Sequence, residues 1–170
     1  MSKPIALVIA SEDFRDEEYF DPKTQLENAG YEIHTVSGQT GPCKGMLGGT
    51  AYADHRIDSI KAENYQAMVF IGGGGAREYY HHPEAHRLVH ESIRSGIILA
   101  AVCIAPIILA NAGVLNQVHA TCFKSEQGEL ARLGAICTGR GVERDQRILT
   151  AAGPAFISEF SSTLIQMLKL

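Results

Sequence analysis

The 170 residues contain no tryptophan, no C-x-x-C pair, no block of basic residues and no apolar run long enough to cross a bilayer. Each absence excludes something. The four cysteines, Cys43, Cys103, Cys122 and Cys137, fall at spacings that fit neither a zinc ribbon nor a disulfide framework. Fifteen Lys and Arg against nineteen Asp and Glu leave a formal charge of −4. A nucleic-acid binder would show a basic footprint, so the expected partners are small molecules or proteins. The longest apolar stretches, Pro4 to Ala10 and Gly96 to Ala112, are too short or too interrupted by Pro106 to span a membrane. No charged-then-apolar leader opens the chain, and the expectation is a cytosolic protein without membrane contact. What is present is ordinary globular composition, 45% apolar and 20% charged, enough for one domain over residues 1–170.

Short apolar runs alternate with helix-compatible segments. PIALVIA, from Pro4 to Ala10, reads as a buried strand that gives way to a polar loop at Ser11, Glu12 and Asp13. Gln25 to Ala29 suits a helix stopped at Gly30, and Tyr31 to Val36 alternates like a second strand. Five glycines and Pro42 between Gly38 and Gly49 predict turns and a small hairpin continuing through Ala53. AMVFI, from Ala67 to Ile71, is a third buried strand, running straight into Gly72, Gly73, Gly74 and Gly75. Pro83 to Ser95 has proline at a first helical position, Gly96 after its end, and an apolar stripe of Ala85, Leu88, Val89 and Ile93. Ile97 to Val102 is a fourth buried strand, followed by a helical segment from Ile104 to Ala112. Beyond it come short strands near Val118, Ala135 to Cys137 and Arg147 to Leu149, a helix near Glu126 to Leu133, and a last helix from about Ala155. This alternation predicts an α/β fold, a mostly parallel sheet covered by helices on both faces.

Cys103 falls at the junction of a buried strand and a helix, within AVCIAP. A tight turn there exposes the sulfur, and a helix N-terminus favours the thiolate. Pro106 suits an early helical position that needs no backbone donor. The competing reading is a thiol that fills core space. The four glycines offer backbone N–H groups at the carboxyl edge of the sheet, able to stabilise an oxyanion, or else they form a permissive turn. They lack G-x-G-x-x-G spacing and the Lys and Ser/Thr of a phosphate loop, so no nucleotide or other cofactor is expected. Six acidic residues crowd Glu12 to Asp21. Pro22 cannot donate to the carbonyl of Glu18, so a helix here should kink or begin anew just past that residue. A protonated carboxyl near the first strand's end would donate a hydrogen bond to a thiolate, and Glu17 and Glu18 are both candidates. His82, His86 and His90 recur every fourth residue, as zinc ligands do on a helix, but without an H-E-x-x-H pattern they also read as a rim beside the apolar stripe.

Taken in order, RDEEYFDP from Arg15, IGGGGAREY from Ile71, AVCIAP from Ala101 and DQRILTAAGPA from Asp145 resemble the ThiJ/PfpI superfamily over nearly the whole chain. The resemblance implies a flavodoxin-like three-layer sandwich, akin to the class I glutamine amidotransferase fold, and a homodimer or higher homo-oligomer. It implies Cys103 as nucleophile and Glu18, four residues before Pro22, as its carboxyl partner. The backbone N–H groups of Gly74, Gly75 and Ile104 would form the oxyanion pocket. Two departures stand out. PfpI-type peptidases have histidine directly after the cysteine, where this chain has Ile104, and a hydrocarbon cannot move a proton. Other members have histidine or tyrosine at a site matching Phe123, and His119 is only near in sequence.

Three functions follow from the resemblance. In the first, Cys103 adds to a small reactive aldehyde such as methylglyoxal and Glu18 assists the proton transfers, a glyoxalase or deglycase activity in stress defence. In the second, a redox-sensing or chaperone-like stress protein oxidises Cys103 to the sulfinic acid. A peptidase or amidase ranks last, for want of the histidine. No cofactor or metal is expected in any of the three.

Overall fold

The computed structural model describes residues 2–170. In chain order the elements are β1 (Ile5–Val8), β2 (Glu12–Phe14), α1 (Asp16–Asn28), β3 (Ile33–Ser37), β4 (Gly41–Gly45), β5 (Thr50–Ala53), β6 (His55–Arg56), β7 (Ala67–Phe70), α2 (Pro83–Ser95), β8 (Ile98–Val102), α3 (Pro106–Asn111), β9 (His119–Ala120), α4 (Gln127–Arg132), β10 (Ile136–Cys137), β11 (Val142–Asp145), β12 (Ile148–Ala151) and α5 (Ile157–Leu168). Seven strands form the central sheet in the order β11-β12-β8-β7-β1-β3-β6, parallel throughout except for the β11–β12 pair. The architecture is the expected flavodoxin-like α/β sandwich.

The three layers follow from the period of two in the strands. Ala6 and Val8, Met68 and Phe70, and Leu99 and Ala101 point to one side, where α2, α3 and α4 cover them. Ile5 and Leu7, Ala67 and Val69, and Ile98, Ala100 and Val102 point to the other, where α1 and α5 close the core. Burial on both faces explains why these strands read as continuous apolar runs. Leaving β1, the chain moves first to β3 and then crosses back to β7 on the opposite side. The loops at the carboxyl ends of β1, β7 and β8 therefore meet where the winding reverses, the place at which open α/β sheets gather ligands.

α2 starts at Pro83 and ends against Gly96 in the left-handed conformation, as its flanking residues predict. Ala85, Leu88 and Val89 are buried, and fully burying a side chain such as Leu88 contributes about 1.5–3 kcal/mol. Ile93 is a correction to the predicted stripe: it is 45% exposed, and Ser92 takes the buried position, donating to Leu88 O at 2.7 Å.

Two further expectations are corrected. The polar segment after β1 is not all loop: Glu12–Phe14 forms β2 and pairs with β4 of the small hairpin sheet. α1 neither stops nor restarts at Pro22 but runs through it, with Tyr19, Pro22 and Leu26 buried on the packed face. Tertiary packing outweighs the missing hydrogen bond at the Glu18 carbonyl. Cys43, on β4, is buried in the core.

Candidate active site

β8 delivers Cys103 into a sharp bend. Its φ is +65°, a left-handed conformation that a side-chain-bearing residue adopts at a cost of about 1–3 kcal/mol. The surroundings hold it there. Cys103 N donates to Ala151 O at 2.9 Å, Phe123 N donates to Cys103 O at 2.7 Å, and Ala105 N closes back on Val102 O at 3.0 Å. Pro106 then opens α3 without needing a backbone partner. The bend lifts Sγ off the sheet edge toward the backbone N–H groups of Gly73 and Ile104, both of which favour the thiolate.

Glu18 comes from the first turn of α1, held over the β7 end by two backbone links. Arg15 N donates to Gly72 O at 2.9 Å, and Gly72 N donates to Glu18 Oε1 at 3.0 Å. The carboxyl is wholly buried and lies against the Cys103 thiol, and its Oε2 has no hydrogen-bond partner. Glu17, the other candidate, points outward and accepts from Arg15 Nε at 2.6 Å. Asp16 serves the architecture, accepting from Leu47 N at 2.9 Å and Gly49 N at 2.7 Å and so tying the hairpin turn to the helix start.

Burial pushes the Glu18 carboxyl up to about 7, against the pull of its contacts with Cys103 and Gly72. Burial, followed by the Glu18 charge, pushes the Cys103 thiol up to about 12. The two are one titrating pair. It takes a first negative charge near neutrality and resists a second, because two anions cannot share a dry pocket. In its singly charged state one proton remains for the two groups, and a carboxylic acid beside a thiolate is one of the two forms available to it.

The four glycines do different work. Gly72 makes room: a Cβ there would lie 2.5 Å from both Cys103 Cβ and Glu18 Oε1 and 2.8 Å from Val102 O. Gly73, at φ +97°, presses on the β2 backbone at Asp13 and Arg15 and directs its N–H at the sulfur. Gly74 lines the cleft, and Gly75 leaves no room for a Cβ, which would strike Glu12 O and the Ala10 methyl. Gly73 and Ile104 are thus the N–H groups at the sulfur.

The cleft above Cys103 has a volume of about 450 Å³, and Arg15, Met46, Arg77, Ile104, Phe123 and Pro154 form much of its wall. Among its described residues there is no histidine. Phe123 is half-exposed at the rim, and His119 lies outside, exposed and paired with Asp145 at 3.2 Å. The three histidines of α2 do not converge. His82 caps the helix by accepting from Glu84 N at 3.2 Å, His86 meets Tyr80 O at 2.8 Å, and His90 meets Ala112 O at 2.6 Å. Among the described residues no group of three or more His, Cys, Asp or Glu side chains is arranged to hold a metal ion, and no helix is long and apolar enough to cross a membrane.

A doubly wound sheet with a cysteine at the strand-to-helix bend and a carboxyl buried against it defines a class of α/β proteins built around a thiol. The chain belongs to the DJ-1/PfpI family, whose model matches residues 3–167. It is 33% identical to an uncharacterised protein of Methanocaldococcus jannaschii, over 97% of this chain and 82% of that one. It is 23% identical to a protein of Pyrococcus horikoshii named as a deglycase, over 96% of this chain and 98% of that one. The crystal structure of a ThiJ/PfpI domain protein from Brachyspira murdochii superimposes with a TM-score of 0.96 at 27% identity, covering 99% of this chain and 97% of the other.

Proposed function

We propose that the protein is a cysteine-dependent enzyme of small reactive carbonyl compounds, with glyoxalase- or deglycase-like activity. The observation that carries this reading is the Cys103 sulfur at φ +65°, set between the Gly73 and Ile104 N–H groups and the buried Glu18 carboxyl. Relatives named as deglycases support it.

With methylglyoxal the proton balance closes on the pair alone. The thiolate adds to the aldehyde carbon, a C–S bond forms, and the carbonyl π pair becomes an alkoxide that takes the Glu18 proton. The Glu18 carboxylate then removes the C1 proton to give an enediolate and returns it to C2, while the hydroxyl proton on the C1 oxygen passes to the C2 oxygen, converting the hemithioacetal to a lactoyl thioester. Water attacks the thioester as Glu18 accepts its proton, lactate leaves, and the singly charged pair is restored. No histidine is required, since Glu18 titrates near 7 and serves as both acid and base. The test is formation of lactate from methylglyoxal without glutathione by the purified protein. Activity lost in Cys103→Ser is expected; activity undiminished in that variant removes the cysteine from the mechanism.

A second reading, a redox sensor, draws on the same N–H groups, which suit a sulfinate oxygen as well as a thiolate. Intact mass after mild peroxide distinguishes the two. Selective gain of two oxygens at Cys103, without carbonyl turnover, favours sensing.

A further inference from the structure

Two guanidinium groups border the sulfur from different elements: Arg15, just before α1, and Arg77, in the turn after the glycines. Arg15 is close enough to interact electrostatically with both Cys103 and Glu18. Each arginine is steadied from behind. Glu17 holds Arg15 through Nε at 2.6 Å and Nη2 at 3.5 Å, and Glu126 holds Arg77 through Nη2 at 3.1 Å. Neither pair uses Nη1, and Arg77 Nη1 lies over Gly74, 3.9 Å from where a Cβ would be. Among the described residues lining the cleft there are two arginines and no carboxylate. The remaining wall is largely apolar, from Met46, Ile104, Phe123 and Pro154.

A neutral dicarbonyl leaves this charge unused. An anion would collect charge-assisted hydrogen bonds from guanidiniums already oriented by their partners, so little side-chain freedom remains to be lost on binding. We propose that the cleft selects a small α-oxoaldehyde bearing its own carboxylate, seated with its aldehyde carbon at Cys103 Sγ and its carboxylate between Arg15 and Arg77. This specificity rests on the carbonyl reading above. The chemistry at sulfur is the same addition, with the alkoxide taking the proton of the Cys103–Glu18 pair, and the carboxylate stays outside the reacting bonds.

Iodoacetate and iodoacetamide give a readout that needs no turnover. Both form a C–S bond as iodide leaves, and they differ in charge at nearly equal size. The ratio of their rates at Cys103, located by peptide mass, is expected to exceed the same ratio for glutathione by about tenfold. It should fall toward the glutathione value in Arg15→Gln and in the exposed-site variant Arg77→Gln. Glyoxylate, which can add to the thiolate but has no ketone to isomerise, should inhibit methylglyoxal turnover competitively in wild type, and its Ki should rise about tenfold relative to the KM for methylglyoxal in the same variants. A wild-type ratio equal to that of glutathione, or one unchanged in both variants, overturns the specificity while leaving Cys103 a nucleophile. Failure of both reagents to modify Cys103 in the folded protein instead overturns the carbonyl reading.

Discussion

Cys103 and Cys122 both lie inside the fold, and burial is the main influence pushing each thiol up to about 12. Their other neighbours differ in kind. At Cys122 the nearby charges of Cys137, Glu126 and Cys103 all act in the same upward direction, and Sγ donates to Phe123 O at 3.4 Å. That is a thiol held as a thiol. At Cys103 the N–H groups of Gly73 and Ile104 oppose the rise, and the Glu18 charge that contributes to it disappears when the shared proton sits on the carboxyl. Enclosure alone therefore does not separate a structural cysteine from a reactive one. The difference lies in whether a neighbour can carry the proton and whether donors await the charge.

The strongest way to break this contrast is to exchange the sulfurs for oxygen one at a time. Cys103→Ser should lower carbonyl turnover by about a thousandfold, and Cys122→Ser should leave it within about twofold. Steady-state lactate formation measures both, and comparable losses in the two would erase the distinction.

Gly72→Ala comes next. Its methyl group would collide with both members of the pair and with the Val102 carbonyl, so turnover should drop about a hundredfold through misplacement alone. A shift in the Cys103 peptide's alkylation rate with little change in far-ultraviolet dichroism would locate the damage in the site.

Glu18→Gln sharpens the comparison through stability. The folded carboxyl titrates near 7, above its ordinary value of 4.5, so the neutral form is the one the fold favours. The stability this contributes is present below about 4.5 and is lost as pH rises through 7, where a buried anion must be carried. Gln keeps an acceptor for Gly72 N and never ionises. The variant should therefore gain on wild type by about 3 kcal/mol between pH 4.5 and pH 8 in urea unfolding, while losing turnover. Equal pH dependence in the two proteins would mean that Glu18 titrates like a solvated carboxyl.

The smallest effect belongs to Gly128, which has open space around it in α4 and no positive φ. Gly128→Ala should leave activity unchanged and stabilise the protein by about 0.5–1 kcal/mol, showing that the Gly72 effect is one of space.

How far the sequence foretold these features depends on what specifies each one. β7, β8 and α2 were legible because runs such as Ala67 to Phe70, and the Pro83 and Gly96 boundaries, carry local signals. β2 and β11 were not. Glu12–Phe14 is three residues with a positive φ at Asp13 and is a strand only because β4 lies beside it. Val142–Asp145 is a charged edge strand without an apolar run, identified by its pairing to β12. At the site, the strand-to-helix bend at Cys103 could be read from AVCIAP, whereas the residues alone left Glu17 and Glu18 both open and only the family resemblance pointed to Glu18. The division of labour among four adjacent glycines could not be read. It is decided by β2 crossing Gly73 and Gly75, a contact between segments distant in the chain. Arg15 and Arg77 carried no pattern at all, since their shared cleft exists only after the β1 and β7 loops come together.

The proposed chemistry depends on one proton being shared between Glu18 and Cys103. The rate of iodoacetamide alkylation at Cys103 as a function of pH tests it most directly, in wild type and in Glu18→Gln. A shared proton predicts a rise centred near 7 in wild type, followed by a plateau, and a rise displaced to higher pH in the variant. A single rise near the free-thiol value of about 8.5, superimposable in the two proteins, would contradict it.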